Sequence, residues 1–357
     1  MTLSGPRTGG QQVTAPRMGV IRSQLLPGHD ERALTPGSFG SHWRLSACLI
    51  TGGGEWAAFG NEKPLMLVPF IMTTVNASES GSFTLGGDLT VNRLGYGAMQ
   101  LPGKGVWGPS PDPANAVAVL RRTVELGITL IDTADSYGPF VADHLIREAL
   151  HPYAADLVIA TKVGFTRQGP NQWIPVGRPE YLRQQVELNL RHLGIDRIDL
   201  LQLHRIDPKV ALEDQLGELV AMQQEGKIRH LGLSEVSVDE LKAAQKLATI
   251  VSVQNLFNVA RRDAEPLLDY AEANGIAFIP WFPLATGKLA KPGSTLDDLA
   301  KKHGASASQL ALAWLLKRSP VILPIPGTTS IGHLEDNVAA SALDLSDDEV
   351  AEIASAA

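Results

Sequence analysis

One cysteine, Cys48, is all the thiol this 357-residue chain contains. An intramolecular disulfide is therefore impossible, no cysteine-based metal site can be assembled, and the usage suits a reducing cytoplasm. Long apolar runs are missing too. The longest, PLMLVPFIM at 64–72, stops well short of the roughly 18 residues a membrane helix needs and carries prolines. The N-terminus lacks a compact basic, apolar and small-residue cleavage sequence. Positive charge is not in excess either: a formal net charge of -7 argues against nucleic acid or an anionic membrane as the main partner, while a local basic patch remains compatible with a phosphorylated cofactor. A cytoplasmic protein acting on a small molecule is expected, and the sequence specifies no oligomeric state.

Several chemical signatures are absent as well. Gly95 and Gly97 begin a G-x-G, but Gln100 follows where a dinucleotide fingerprint wants a third glycine. GGGEWAAFG at 52–60 lacks the lysine and hydroxyl of a phosphate loop. A metal-dependent hydrolase barrel would show histidine or acidic ligand pairs at strand ends, and the first strand has no H-x-H. No metal site is expected.

What is present is an alternation. Residues 1–78 carry glycine clusters and scattered arginines and prolines without a sustained period, and are expected to be a largely disordered extension. They read as a functional tail, a partner-binding region, or upstream sequence ahead of a natural start at Met72. Residues 79–357 are expected to form one domain, with 44% hydrophobic residues overall to supply its core. SFTLGGDLTV reads as a hairpin around Gly86-Gly87-Asp88. Strands are expected at Leu94–Met99, Thr129–Thr133, Leu157–Val163, Asp199–His204, His230–Ser234, Ile250–Gln254, Ala277–Trp281 and Val321–Ile325. Helix patterns fill Pro113–Leu126, Phe140–Leu150, Pro179–Leu193, Leu212–Glu225, Val238–Lys246 and Asp263–Ala273, several starting with proline or acid and stopping at glycine. In the third, Leu182, Val186, Leu190 and Leu193 form one apolar stripe. Eight strands without a phosphate fingerprint after the first favour a closed (β/α)8 TIM barrel with an N-terminal β-hairpin cap over a doubly wound open sheet.

Four positions fall at the C-terminal ends of consecutive strands: Asp132 and Tyr137 in IDTADSYG, Lys162 in VIATKV and His204 in LLQLHR. Each alone has an ordinary reading, as a capping aspartate, a rim tyrosine, a snorkelling lysine or a structural histidine. Sharing one end of one sheet is what scattered coincidences would not do. Together they make a proton-delivery group, because a buried ammonium lowers a phenol's pKa and a carboxylate holds that ammonium.

In RLGYGAMQ, IDTADSYG, VIATKVG, LLQLHRID, GKIRHLGLSE, VSVQNLFN, PWFPLATGKL and LPIPGTTSIGHLEDN, taken in order, the chain resembles the aldo-keto reductases over roughly residues 82–355. FTLGGDLTVNRLGYGAMQL and IREALHPY are similar to the pyridoxal reductase branch. The resemblance implies a catalytic tetrad of Asp132, Tyr137, Lys162 and His204, in which Tyr137 protonates a carbonyl oxygen while a nicotinamide delivers hydride, and Lys162 brings the phenol toward working pH. It implies that Ser234 and Gln254 hold the carboxamide, that Trp281 stacks on the nicotinamide ring, and that Leu284, Gly287 and Lys288 approach the pyrophosphate. Gly327, Thr328, Thr329 and His333 are implied around the adenosine 2'-phosphate, with Asp336 and Asn337 at the adenine.

Two departures stand out. Glu235 occupies a position where family members often show Asn, and Gly327 and His333 occupy positions where some show Lys and Arg. NADPH is the implied cofactor, with NADH as the alternative. The implied activity is reduction of an aldehyde or ketone, with pyridoxal going to pyridoxine as the specific expectation. A nicotinamide-binding redox-sensing subunit on the same barrel is the other reading. Trp107, Phe165, Trp173 and Phe257 are expected around the mouth, lining a planar-substrate site or covering the barrel.

Overall fold

A computed structural model describes residues 75–284 and 293–355. The expectations for residues 1–74, Met72 included, and for Gly287 and Lys288 lie outside the described residues. Ala77–Ser80 forms a single 3-10 turn capped by Asn76, and Ala77 donates its N–H to the Leu126 carbonyl. Residues just before 79 are thus packed on the domain as well.

The hairpin is present as β1 (Ser82–Leu85) and β2 (Leu89–Asn92), antiparallel around the glycine turn. After it come β3 (Tyr96–Gly97), α1 (Pro113–Glu125), β4 (Leu130–Asp132), α2 (Val141–Leu150), β5 (Val158–Val163), β6 (Phe165–Arg167), β7 (Trp173–Pro175), α3 (Pro179–Leu193) and β8 (Ile198–Leu203). The chain continues through α4 (Leu212–Gln224), β9 (Ile228–Ser234), α5 (Val238–Gln245), β10 (Ile250–Gln254), α6 (Glu265–Ala273) and β11 (Ala277–Phe278). It ends with α7 (Thr295–His303), α8 (Ala307–Arg318), α9 (Ile331–Ala339) and α10 (Asp347–Ser355). A parallel sheet of order β11-β10-β9-β8-β5-β4-β3 carries the architecture, with β6 and β7 forming a separate small hairpin.

The expected eighth strand, Val321–Ile325, is not a strand. Pro324 and Pro326 have no N–H to donate, so a full ladder cannot form there. The segment still runs extended between the two edges of the sheet. Phe278 donates to the Val321 carbonyl at 2.8 Å and accepts from Leu323 at 2.8 Å, while Gly95 and Gly97 donate to Pro324 and Pro326 at 2.9 and 3.5 Å. Arg93 fixes its start by donating to the carbonyls of Leu316, Ser319 and Ile322. The barrel is therefore closed by carbonyls accepting from both neighbours.

This closure explains the glycines of the first strand. A Cβ on Gly97 would stand 2.7 Å from the Ile325 oxygen, and one on Gly95 would stand 3.0 Å from the Leu130 oxygen. The G-x-G is a packing device.

Inside the barrel, Leu130, Val158, Ala160, Leu200, Val251, Ala277, Ile279 and Leu323 meet Leu85, Leu89 and Val91 of the hairpin, which shuts the base. Outside, helices lay apolar stripes on the sheet. Leu182, Val186 and Leu193 of α3 are wholly buried, and Leu190 packs against the cluster that holds Leu182 and Val186, as the periodicity implied. With its base plugged, the barrel opens only at the C-terminal ends of the strands.

Gly97→Ala should destabilise the folded state by about 1–3 kcal/mol, since the added methyl overpacks a backbone contact. Urea unfolding checks this, and an unchanged midpoint would contradict the closure.

Candidate active site

Strand register gathers the interior polar residues into one layer. Lys162 on β5 lies opposite Gln202 on β8, Asp132 ends β4 opposite Ala160, and Gln254 ends β10 opposite Ser234. All six residues of β5 are buried, so the Lys162 ammonium has no route to water and must be paired within the protein. Its Nζ donates to Asp132 Oδ1 at 2.5 Å, the Thr133 carbonyl at 2.9 Å and Tyr137 Oη at 3.2 Å. The other Asp132 oxygen accepts from Gln202 Nε2 at 3.1 Å and Gln254 Nε2 at 2.9 Å.

Tyr137 reaches this layer through the turn that follows β4, where its N–H donates to Ala134. Gly138 completes the turn at φ 105°, and a Cβ there would collide with Val141. His204 follows β8, its Nδ1 3.4 Å from Ser136 Oγ. The structure thus brings all four sequence-assigned residues together.

Burial dominates the electrostatics. It pushes the Tyr137 phenol above its ordinary value of 10.0, and the Lys162 ammonium opposes it without reversing it. The expectation of a phenol lowered toward working pH is corrected on this point: the desolvation of the ring outweighs the cation. Burial also works against the Lys162 charge, yet Asp132 and then Tyr137 hold its pKa above the usual lysine value. His204 is driven well below the normal imidazole range by burial and by the cations Lys162, Arg205 and Arg167, so its ring is neutral. Behind the tetrad, burial and the neighbouring Asp143 raise Asp135 well above a carboxylate's range, and burial brings Asp143 to about 7.

The tetrad opens into a cavity of about 600 Å³. Phe165 and Trp173 form one wall, carried by the β6–β7 hairpin. Arg167 locks that hairpin over the site: it lies 3.6 Å over the Trp173 ring and donates to the carbonyls of Gly105, Val106 and Ser136. Trp107 stands behind Arg167 at 5.8 Å and does not line the cavity. Phe257 is not at the mouth at all, being buried against Phe278 and Trp314.

Ser234, Gln254, Trp281, Leu284 and Gly327 line the same cavity. Gln254 donates its amide to Asp132 while its Oε1 accepts from no donor among the described residues, so it offers an acceptor beside the tetrad. Thr328 is buried, its hydroxyl accepting from the Ser330 N–H, while Thr329 and His333 are exposed at the start of α9. Asn337 is buried on α9. Asp336 is committed elsewhere: its carboxylate accepts from Ser306 Oγ and Gln309 Nε2 and ties α9 to the start of α8.

The sequence reading missed Gln202, Arg205 and Asn171. Gln202 was legible as a polar residue inside an apolar strand. Asn171, at φ 56° on a loop that lines the cavity, carried no signal.

The aldo/keto reductase family model matches residues 93–357. The chain belongs to the aldo/keto reductase family. Among relatives of this reductase, pyridoxine 4-dehydrogenase of Escherichia coli is 46% identical over 275 residues, covering 75% of this chain and 96% of that one. An uncharacterized oxidoreductase of Schizosaccharomyces pombe is 53% identical over 281 residues, covering 79% and 91%. An aldo-keto reductase from Klebsiella pneumoniae, solved in complex with NADPH, superposes with a TM-score of 0.66 at 27% identity, covering 76% of this chain and 93% of that one.

Glu235 has a visible task in this reductase. It sits at φ 55°, and its Oε1 accepts from Trp281 Nε1 at 2.6 Å and from the Leu256 N–H at 2.7 Å. The carboxylate therefore fixes the indole's plane. Glu235→Leu should weaken binding of the expected nicotinamide cofactor about tenfold through loss of a charge-assisted bond, while Glu235→Gln, which keeps an acceptor, should lose much less. Fluorescence titration distinguishes them, and equal affinities for both variants and the parent would contradict this role.

Proposed function

We propose that this aldo/keto reductase uses NADPH to reduce an aldehyde or ketone to an alcohol, with Tyr137 as proton donor, and that pyridoxal going to pyridoxine is its reaction. The observation that carries the reading is that Asp132, Tyr137 and His204 line one cavity with Ser234, Gln254 and Trp281, while Lys162 stands buried directly behind Tyr137. The NADPH complex of the Klebsiella reductase and the likeness to the pyridoxine dehydrogenase support the cofactor and the substrate. Flat aromatic walls at Phe165, Trp173 and Trp281 suit a planar ring.

The residues present fit the cofactor. Gln254 Oε1 would accept from the carboxamide, Ser234 lies beside Gln254, and Trp281, braced by Glu235, would supply a face for the ring. Leu284 and Gly327 border its path, and the amides and hydroxyls around Thr328, Thr329 and His333 favour a 2'-phosphate at the start of α9. When bound, NADPH supplies the hydride to the carbonyl carbon.

The protein's own residues manage the proton. Tyr137 stays protonated well past neutrality because burial raises its pKa, so its Oη–H donates to the carbonyl oxygen and polarises it. Neutral His204 orients that oxygen by hydrogen bond without competing as an acid. As charge builds on Tyr137 Oη, the Lys162 ammonium at 3.2 Å stabilises it, and Asp132 keeps that ammonium charged and aimed.

Tyr137→Phe removes the proton and keeps the ring. NADPH-dependent turnover of pyridoxal should fall by about 10²–10⁴-fold, the range for loss of a general acid, while NADPH still binds. Near-parental turnover by the variant would overturn the assignment. Repeated turnover by the parent separates an enzyme from a redox-sensing subunit.

A further inference from the structure

We infer that Arg205 is the substrate-specificity residue of this site, and that it selects carbonyl compounds bearing an anionic oxygen beside the reacting group, above all aromatic aldehydes with an ortho oxyanion. The inference rests on the carbonyl-reductase reading and adds the class of substrate.

Arg205 is the sole arginine or lysine among the described residues lining the cavity. It is part-buried and forms no ion pair within 4.0 Å among the described residues. Its Nη1 donates to the His204 carbonyl at 2.6 Å and to Ser234 Oγ at 3.1 Å, which uses both of that nitrogen's hydrogens. Nε and Nη2 make no hydrogen bond to the described protein. Burial lowers its pKa, and the largest influence of opposite sign is Glu235. Yet Glu235 directs its contact oxygen to Trp281 and Leu256.

A guanidinium held out of bulk water with open donors is costly unless an anion completes it. Of the other cations near the tetrad, Lys162 is matched by Asp132, and Arg167 spends its guanidinium on the backbone carbonyls of Gly105, Val106, Ser136, Gly169 and Gln172. Arg205 is thus the cation at the mouth whose donors are left open by the described residues.

Its position defines where the anion sits. The guanidinium lies 5.5 Å from the Phe165 ring centre, and Phe165 packs on His204 at 4.6 Å. It is close enough to Tyr137 and His204 to act on both electrostatically. A planar substrate whose carbonyl oxygen meets Tyr137 and His204 would present a neighbouring oxyanion to Arg205, and a guanidinium binds such an oxygen with charge-assisted hydrogen bonds. Pyridoxal, whose ionised 3-hydroxyl flanks its formyl group, is one member of the class.

The test compares 2-carboxybenzaldehyde with its methyl ester under NADPH. The parent should favour the acid in kcat/KM by at least about tenfold, through KM more than kcat, as expected for a hydrogen bond to a charged group. Arg205→Met should bring the ratio to about one, and Arg205→Lys should retain an intermediate preference because it keeps a point charge without the fork. A second measurement needs no variant: salicylate should inhibit the parent at least about tenfold more tightly than salicylamide. A parent that reduces both aldehydes without preference and binds both inhibitors alike contradicts the role of Arg205 alone, as does an unchanged ratio in Arg205→Met. A parent that binds NADPH but reduces no aldehyde contradicts the carbonyl-reductase reading itself.

Discussion

The buried ion pair between Asp132 and Lys162 constrains everything else in this molecule. Neither side chain reaches solvent, and withdrawing two such charges from water costs several kcal/mol each. That cost is offset only because two glutamines donate to Asp132 and a backbone carbonyl receives from Lys162. Asp132 on β4 accepts from donors on three other strands, Lys162 on β5, Gln202 on β8 and Gln254 on β10. A one-residue slip in any of them would turn its polar residue outward and leave a charge stranded. Fold and site are thus one problem: the register that closes the barrel is the register that satisfies the pair.

The same pair sets the chemistry. A charged ammonium under the phenol cannot overcome burial in the resting site, so Tyr137 holds its proton. That ammonium becomes most valuable at the moment the proton leaves, which is stabilisation spent on the transition state and not on the resting enzyme. Neutral His204 and the raised pKa values of Asp135 and Asp143 behind the tetrad follow from the same low-dielectric surroundings. With the base plugged by Leu85, Leu89 and Val91, a substrate can approach this group from the mouth alone.

Much of this was legible in the residues. Period-2 and period-3.6 patterns placed most of the sheet and α1 to α6, because those elements bury continuous or striped apolar faces. The eighth strand was misjudged because Pro324 and Pro326 keep an extended path while removing the donors of a ladder. Helices α7, α8 and α10 went unread although Ser294, Ser306 and Ser346 stand where caps belong, with Ser306 and Gln309 forming a capping box. The tetrad was readable because four reactive residues shared one end of the sheet. Arg205 was not, since a charge following a strand looks like any loop charge until its neighbours are known. Asp336 shows the converse: its place in the motif suggested adenine, and in the fold it ties two helices.

The most direct measurement is the ionisation of Tyr137 followed by ¹³C NMR of labelled tyrosine, with Tyr137→Phe identifying its signal among the five tyrosines. The account predicts a phenol that titrates above 10.0 in the parent and higher still in Lys162→Met, because removing the ammonium removes the one strong influence holding the value down. A parent value below 10.0, or a Lys162→Met value equal to or below the parent's, would contradict it.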